Sequence, residues 1–324
     1  MCSSETPSLP SNRLFVFGYG YTADFLGRRL LETGEWSLSG TTRDPQKRTA
    51  LRTKGIDAYL FDEETPLGDP LAMFDGVTHI LISTPPDNEG DLVYRLHAAD
   101  ISKIPTLRWI GYLSTTSVYG DRDGGYVDET SELRPNSIRG SRRLRAENDW
   151  KHFAEDSDLT IDILRLAGIY GPGRSALDSV RAGIKRRILK AGHAFSRIHV
   201  EDAVEVLYTL VQKSHTKGDV YNIADDEAAP SHEVTAYACH LLGKEAPPLV
   251  PIEDANLAPI TMSFYSDNKR VKNNKIKQDL GIQLKYPNYR YGLEQCLTEE
   301  KKYSDQNIDP PWSLQISPDE NGTI

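Results

Sequence analysis

Apolar residues in the first half of the chain come in short blocks, separated by longer stretches with a helical period. Arg13 to Phe17, Trp36 to Thr42, Ile56 to Phe61, His79 to Ser83, Trp109 to Ser114 and Thr160 to Leu166 each read as a strand. Between them, Thr22 to Glu32, Pro45 to Lys54, Leu92 to Ile101 and Ser141 to Phe153 repeat their apolar positions as helices do, and Pro45 suits a helix start. Strands alternating with helices at this spacing predict βαβ units and a parallel sheet covered on both faces. Beyond residue 173 the rhythm loosens. Ala176 to Leu189, Asp202 to Val211 and Glu233 to Leu242 look helical, and Val220 to Ile223 looks like a further strand. Prolines and short turns interrupt the pattern from Pro247 onward, and no internal repeat is present.

The first strand runs into Gly18-Tyr19-Gly20-Tyr21-Thr22-Ala23 and then into a helix. This is a G-x-G-x-x-A turn in the strand-turn-helix setting that gives it meaning. Gly18 permits the tight turn, Gly20 lets backbone approach a pyrophosphate, and Ala23 takes the position where a small residue allows helix and strand to pack closely. The helix N-terminus offers N–H groups and a positive dipole end to phosphate. The expected fold is therefore α/β: a Rossmann-type doubly wound parallel sheet with a smaller C-terminal substrate-binding lobe. Its expected division is a nucleotide-binding domain over 12–170, completed by a strand near 219–224, and a lobe over 171–297. Flexible ends are expected at 1–11 and 298–324.

The region after the second strand bears on which nucleotide is held. It reads Thr41-Thr42-Arg43-Asp44-Pro45, with no acid at the strand end to take a ribose 2′-hydroxyl. Arg43, beside Thr42, suits a 2′-phosphate, while Asp44 suits the cap of the next helix. NADP is thus preferred over NAD. Asp62, after the third strand, is a candidate for the adenine amino group or a strand-ending turn residue. Ser83, ending the fourth strand, is a further cofactor candidate.

Composition narrows the partners. The chain has 324 residues, a net charge of −9 and 26% charged residues, so no general attraction to nucleic acid or to an anionic membrane is expected. Cys2, Cys239 and Cys296 lie far apart without C-x-x-C spacing, which predicts a reducing, cytoplasmic setting and no metal site. Residues 1–12 lack the apolar core of a secretory signal, and no run approaches the length of a membrane span.

Four later segments carry a resemblance. Leu113-Ser114-Thr115-Thr116-Ser117-Val118-Tyr119-Gly120, Leu164-Arg165 through Tyr170-Gly171-Pro172-Gly173, Arg197-Ile198-His199-Val200-Glu201-Asp202 and Tyr221-Asn222-Ile223 follow in order. With the glycine turn, they resemble the extended short-chain dehydrogenases/reductases of the NAD-dependent epimerase/dehydratase type over about residues 13–297. That resemblance implies a general acid/base tyrosine and a lysine four residues on, at the start of the helix after the fifth strand, with a Ser or Thr orienting the substrate oxygen. Counting back from Glu147 places Arg139 at the tyrosine position and Arg143 at the lysine position, while Thr115 falls at the Ser/Thr position. The missing pair resembles the atypical, YeeZ-like branch of the family.

Arginine stays protonated in proteins, so Arg139 cannot replace the tyrosine in proton transfer near neutral pH. Arg139 and Arg143 share a helix face. They form either an anion subsite above the nicotinamide, with Arg143 also near its ribose, or a solvated face with Arg143 paired to Glu147. Tyr119, Tyr126, Tyr170 and His199 are alternative proton carriers or packing residues. Two functions remain open: an NADP-dependent oxidoreductase or epimerase on a small polar or nucleotide-linked substrate, and a catalytically silent NADP(H) sensor. The resemblance also implies a homodimer through the helices that follow the fourth and fifth strands.

Overall fold

The computed structural model describes residues 12–157, 159–213 and 217–312. The expected flexible N-terminal segment, 1–11, and the last twelve residues of the expected tail lie outside them.

Seven strands form one parallel sheet: β1 (Asn12–Phe17), β2 (Trp36–Thr42), β3 (Asp57–Leu60), β4 (His79–Ile82), β5 (Trp109–Thr115), β7 (Ile161–Leu166) and β11 (Val220–Ile223). Their order across the sheet is β11-β7-β5-β4-β1-β2-β3. The order reverses between β1 and β4, which is where such sheets open a crevice at their carboxyl ends. Alternation along the strands explains the two covered faces. Leu14, Val16, Leu38, Leu81 and Leu164 pack with Leu26 and Leu30 of the helix Tyr21–Glu32 and with Leu207 of the helix Val200–Gln212. Phe15, Phe17, Ile80, Tyr112 and Ile163 face the other way, onto Val93 of the helix Leu92–Ile101 and Trp150 of the helix Ile138–Ser157. Each such buried side chain contributes roughly 1.5–3 kcal/mol of transfer free energy.

The remaining strands are short parallel pairs: β6 (Tyr126–Val127) with β13 (Arg270–Val271), β8 (Gly168–Tyr170) with β10 (Arg197–His199), and β9 (Arg187–Leu189) with β12 (Leu249–Pro251). A separate apolar cluster of Tyr170, Leu177, Val234, Cys239, Leu293 and Cys296 forms the core of this C-terminal region.

Two sequence expectations are corrected here. The helix beginning at Ala176 ends at Arg181, and Arg187–Leu189 is a strand that pairs with β12. Gly183, at φ +83°, turns the chain between them, which a helix interior does not permit. Residues Thr298 to Asp305, expected as tail, continue the helix Tyr289–Asp305, whose buried Leu293 and Cys296 anchor it.

Candidate active site

The glycine turn leaves β1 at its carboxyl end. Gly18 sits at φ +80°, and a Cβ there would lie 3.0 Å from Thr84 Cγ2 and 3.1 Å from Thr84 N. Its own N–H donates to Thr41 Oγ1 at 2.9 Å, and Tyr19 N donates to the Thr41 carbonyl at 2.7 Å, so the turn is fastened to β2. Gly20 is the N-cap of the helix Tyr21–Glu32 and offers no side-chain cap. A Cβ at Gly20 would meet only the Gly18 carbonyl oxygen, 3.7 Å away. The first helical N–H groups therefore face an open approach, which suits a pyrophosphate. Thr84, against the same turn, keeps a buried hydroxyl with no hydrogen-bond partner. This cradle fits a dinucleotide.

Within the cradle, the Tyr19 side chain is 2% exposed and lies between helix and sheet, while its N–H is spent on the Thr41 carbonyl. Gly27 makes room for it: a Cβ there would sit 2.0 Å from the Tyr19 hydroxyl. Ala23 and Thr22 are also buried in the first turn. Tyr21 reaches away from the turn and donates to the Pro172 carbonyl at 2.9 Å, tying the opening motif to the Gly171-Pro172-Gly173 segment.

At the end of β2, Thr42 is nearly buried and accepts from Asp44 N at 3.2 Å, while Arg43 is exposed. Asp44 caps the next helix through Gln46 N and Lys47 N. Asp62 accepts from Glu64 N at 3.0 Å and Thr65 N at 2.8 Å, the pattern of a turn residue. Ser83 N donates to the Phe17 carbonyl at 2.8 Å, so Ser83 borders the glycine turn. Sequence reading missed Arg48, whose Nε is buried without a partner on the helix that Asp44 caps.

Arg143 does not pair with Glu147. Its Nη1 donates to the Leu113 carbonyl at 2.7 Å, to the Tyr112 hydroxyl at 3.2 Å and to the Thr84 carbonyl at 3.4 Å. The guanidinium thus spans the ends of β4 and β5. Glu147 is fully buried and held by Arg165 of β7, with Nη2–Oε2 at 2.7 Å, and by Ser114 Oγ at 2.6 Å. Arg165 Nη1 also donates to the Tyr119 hydroxyl at 2.9 Å, which donates to Asn222 Oδ1 at 2.7 Å. Of the two arrangements left open by the sequence, the Arg143–Glu147 bridge is not formed, because the buried carboxylate is matched by a guanidinium buried with it.

Of the alternative proton carriers, Tyr119 is buried in this network. Burial pushes the Tyr119 hydroxyl above its ordinary range, and Arg165 only partly offsets this. His199 is fully buried, accepts from Glu201 N at 3.3 Å and packs against the Tyr170 and Tyr286 rings. Burial lowers its pKa to about 4. Tyr170 is nearly buried, and burial holds its hydroxyl well above the ordinary range. Tyr126 is 69% exposed on β6.

A cleft of about 620 Å³ opens beside Thr115. Arg139, Arg142 and Arg143 line one side, and Arg197, Asp267 and Lys269 the other. Thr115 accepts from Ser117 N at 3.3 Å. Arg139 lies over the Phe264 ring, 5.7 Å from its centroid, so it spans from the helix Ile138–Ser157 to the C-terminal region. Arg197 is 5% exposed and donates to the carbonyls of Phe195 at 3.0 Å and Ala229 at 2.8 Å. Among its described lining residues are five cationic side chains and one carboxylate, so the cleft wall is rich in positive charge. The structure thus brings Thr115, Arg139 and Arg143 to one cavity and leaves Thr42, Arg43 and Asp62 at the far end of the sheet. In the sequence Arg197 is only the start of a resemblance segment, and Lys269 goes unmarked because it stands in no local motif.

A parallel seven-stranded sheet with this cradle and cleft defines a nucleotide-binding α/β protein of the extended reductase type. Residues 18–224 match the model of the NAD dependent epimerase/dehydratase family, and the chain belongs to that family. It is 29% identical over 287 residues to Protein YeeZ of Escherichia coli K12, covering 85% of this chain and 96% of that one. A solved structure of a functionally unknown conserved protein from Silicibacter pomeroyi is 46% identical, with a TM-score of 0.82 over 89% of this chain and 99% of that one. UDP-glucuronic acid 4-epimerase from Bacillus cereus, solved with UDP-glucuronic acid and NAD, shares the fold at a TM-score of 0.73 and 16% identity, over 91% of this chain and all of the other. Among the described residues, no helix is long and apolar enough to cross a membrane, and no cluster of ligating side chains could hold a metal ion.

Proposed function

We propose that the protein is an NADP-dependent oxidoreductase or epimerase acting on a small anionic hydroxyl or carbonyl compound, nucleotide-linked ones included. The observation that carries this reading is the cleft, where Arg139, Arg142, Arg143, Arg197 and Lys269 surround a space beside Thr115. A ligand with a carboxylate or phosphate group would be held there by guanidinium forks, which fix orientation as well as charge. The cradle at Gly18 to Ala23 would hold the pyrophosphate, Arg43 and Arg48 the 2′-phosphate, and Arg143 the side facing the nicotinamide ribose. A bound nicotinamide would supply the hydride acceptor or donor. Thr115 would orient the substrate oxygen, and the cleft walls would keep water from it.

A second reading, a silent NADP(H) sensor, is favoured by one observation: arginines stand where the family's tyrosine and lysine are expected. Calorimetry with NADP and NAD, followed by turnover assays on anionic carbinols, carbonyls and nucleotide sugars, separates the two. Cofactor-dependent turnover that falls in Thr115→Ala supports the enzyme, whereas tight binding without turnover across the panel supports the sensor. The same proposal places the protein in the cytoplasm as a homodimer through the helices Leu92–Ile101 and Ile138–Ser157. Sedimentation equilibrium measures the dimer.

A further inference from the structure

Among the described residues, no tyrosine or histidine lines the cleft. Its arginines stay protonated, and serine or threonine hydroxyls do not titrate near neutral pH. Asp267 and Lys269 remain, and both side chains are close to buried at 13% and 9% exposure. Lys269 Nζ lies 3.0 Å from Asp267 Oδ2, and Asp267 Oδ1 is buried without a hydrogen-bond partner. The pair is rigidly mounted. Asn268, between the two, donates its N–H to Asp121 Oδ1 at 2.8 Å, and its carbonyl accepts from Arg122 N at 3.0 Å and Gly124 N at 2.8 Å. Its side chain bonds to Ala194 N at 3.2 Å and to the Gly192 carbonyl at 3.1 Å. Just beyond Lys269, β13 pairs with β6, and Val271 N donates to Ser196 Oγ at 3.0 Å. Three chain segments thus hold two functional side chains in the wall of the cavity that Thr115 enters.

Resting on the functional reading above, we propose that Lys269 exchanges the proton of the substrate oxygen in this cleft and that Asp267 positions its amine. In oxidation of a carbinol, the O–H proton passes to neutral Lys269 Nζ. The O–H electron pair becomes the second carbon–oxygen bond, and the carbinol hydride leaves to a bound oxidised nicotinamide. Carbonyl reduction is the reverse, with the Lys269 ammonium as donor. Burial lowers the pKa of Lys269, against the opposing pull of Asp267 and Asp121, while Arg122 lowers it further. His193 and Lys190 also border the pair, and Arg139, Arg143 and Arg197 share its cleft. A base of this kind works as the free amine, the form that burial favours here.

The test has a readout that needs no substrate. Pulse acetylation with acetic anhydride, followed by peptide mass spectrometry across pH, should give Lys269 a titration midpoint below that of the chain's exposed lysines. Asp267→Asn should move the midpoint lower still, because a carboxylate that favours the ammonium has been removed. On any substrate of the anionic panel that turns over, Lys269→Arg keeps a long basic side chain but cannot take up or release a proton. It should lose roughly 10²-fold or more in rate while its NADP affinity stays unchanged. Oxidation by the wild type should rise with pH through the Lys269 midpoint. Titration of Lys269 together with the exposed lysines overturns the proposal. So does an Arg variant that keeps the wild-type rate and pH profile. A wild-type protein that binds neither NADP nor NAD instead overturns the functional reading itself.

Discussion

Glu147 and Arg165 grip each other inside the fold, with Arg165 Nη2 2.7 Å and Nε 3.3 Å from Glu147 Oε2, and Nε 3.1 Å from Oε1. This bond fixes the helix Ile138–Ser157 to β7 and sets where its first turns present Arg139 and Arg143. Removing one partner of a buried pair strands the other charge, at a cost of roughly 3–5 kcal/mol. Glu147→Gln should therefore lose about that much stability in urea denaturation. Arg143→Met, which removes bonds to two carbonyls and a hydroxyl at a partly exposed site, should lose only about 1–2 kcal/mol. Equal losses in the two variants would mean that Arg143 is the partner of Glu147 after all.

The two glycines of the turn separate folding from binding. A Cβ at Gly20 has open space, so Gly20→Val should cost only about 1 kcal/mol of stability as a poorer N-cap while losing at least about tenfold in dinucleotide affinity, or 1.4 kcal/mol. Gly18→Val adds a β-branched side chain at φ +80° against Thr84, and should destabilise the apo protein by roughly 1–3 kcal/mol. Calorimetry with the cofactor and melting without it distinguish the two. Unchanged affinity in Gly20→Val would place the pyrophosphate elsewhere.

The sheet was legible because its central strands are short apolar runs buried on both faces and its helices carry their own caps. Asp44 before Pro45 and Asp91 before Leu92 both accept helical N–H groups as their positions imply. The short pairs β8–β10, β9–β12 and β6–β13 were not legible. Strands of two or three residues carry no period, and their partners lie far along the chain. The cradle could be read from a local motif. The cleft could be read only in part: Thr115, Arg139 and Arg143 were marked, whereas Arg197 and Lys269 reach it through tertiary packing. The two alternatives for Arg143 could not be separated for a related reason: helical spacing allows an i,i+4 bridge, and it takes Arg165 from another element to claim the carboxylate.

Arg43 gives a test of cofactor choice. It is exposed beside Thr42, and Asp44, the acid that follows it, is committed to capping. A charge-assisted pair with a 2′-phosphate contributes on the order of 1.5–3 kcal/mol. Arg43→Ala should weaken NADP binding by roughly tenfold to a hundredfold and leave NAD binding nearly unchanged. Arg48→Met should add to the loss if its unpartnered Nε serves the same group. Parallel titrations with the two nucleotides read the ratio, and equal losses for both would remove the preference for NADP.

Acid should loosen the C-terminal region through His199. Its folded pKa of about 4 lies below the ordinary 6.5, because burial disfavours the imidazolium. The unfolded chain therefore binds the extra proton first, and the contribution of His199 to stability is complete above the unfolded pKa and is lost as pH falls toward 4. Between about pH 7.5 and about pH 5 the loss from one such histidine is roughly 2 kcal/mol. His79 and His193, also lowered to about 4 by burial, add losses of the same sign. Asp91 opposes them, because burial raises its carboxyl to about 6 and its cost grows as pH rises. His199→Asn keeps a residue able to cap the helix Val200–Gln212 but cannot ionise. It should begin about 1–2 kcal/mol less stable at neutral pH through lost ring packing, yet lose roughly 2 kcal/mol less than the wild type on acidification. Urea midpoints at the two pH values measure the difference, and parallel slopes would show that His199 is not the group that titrates.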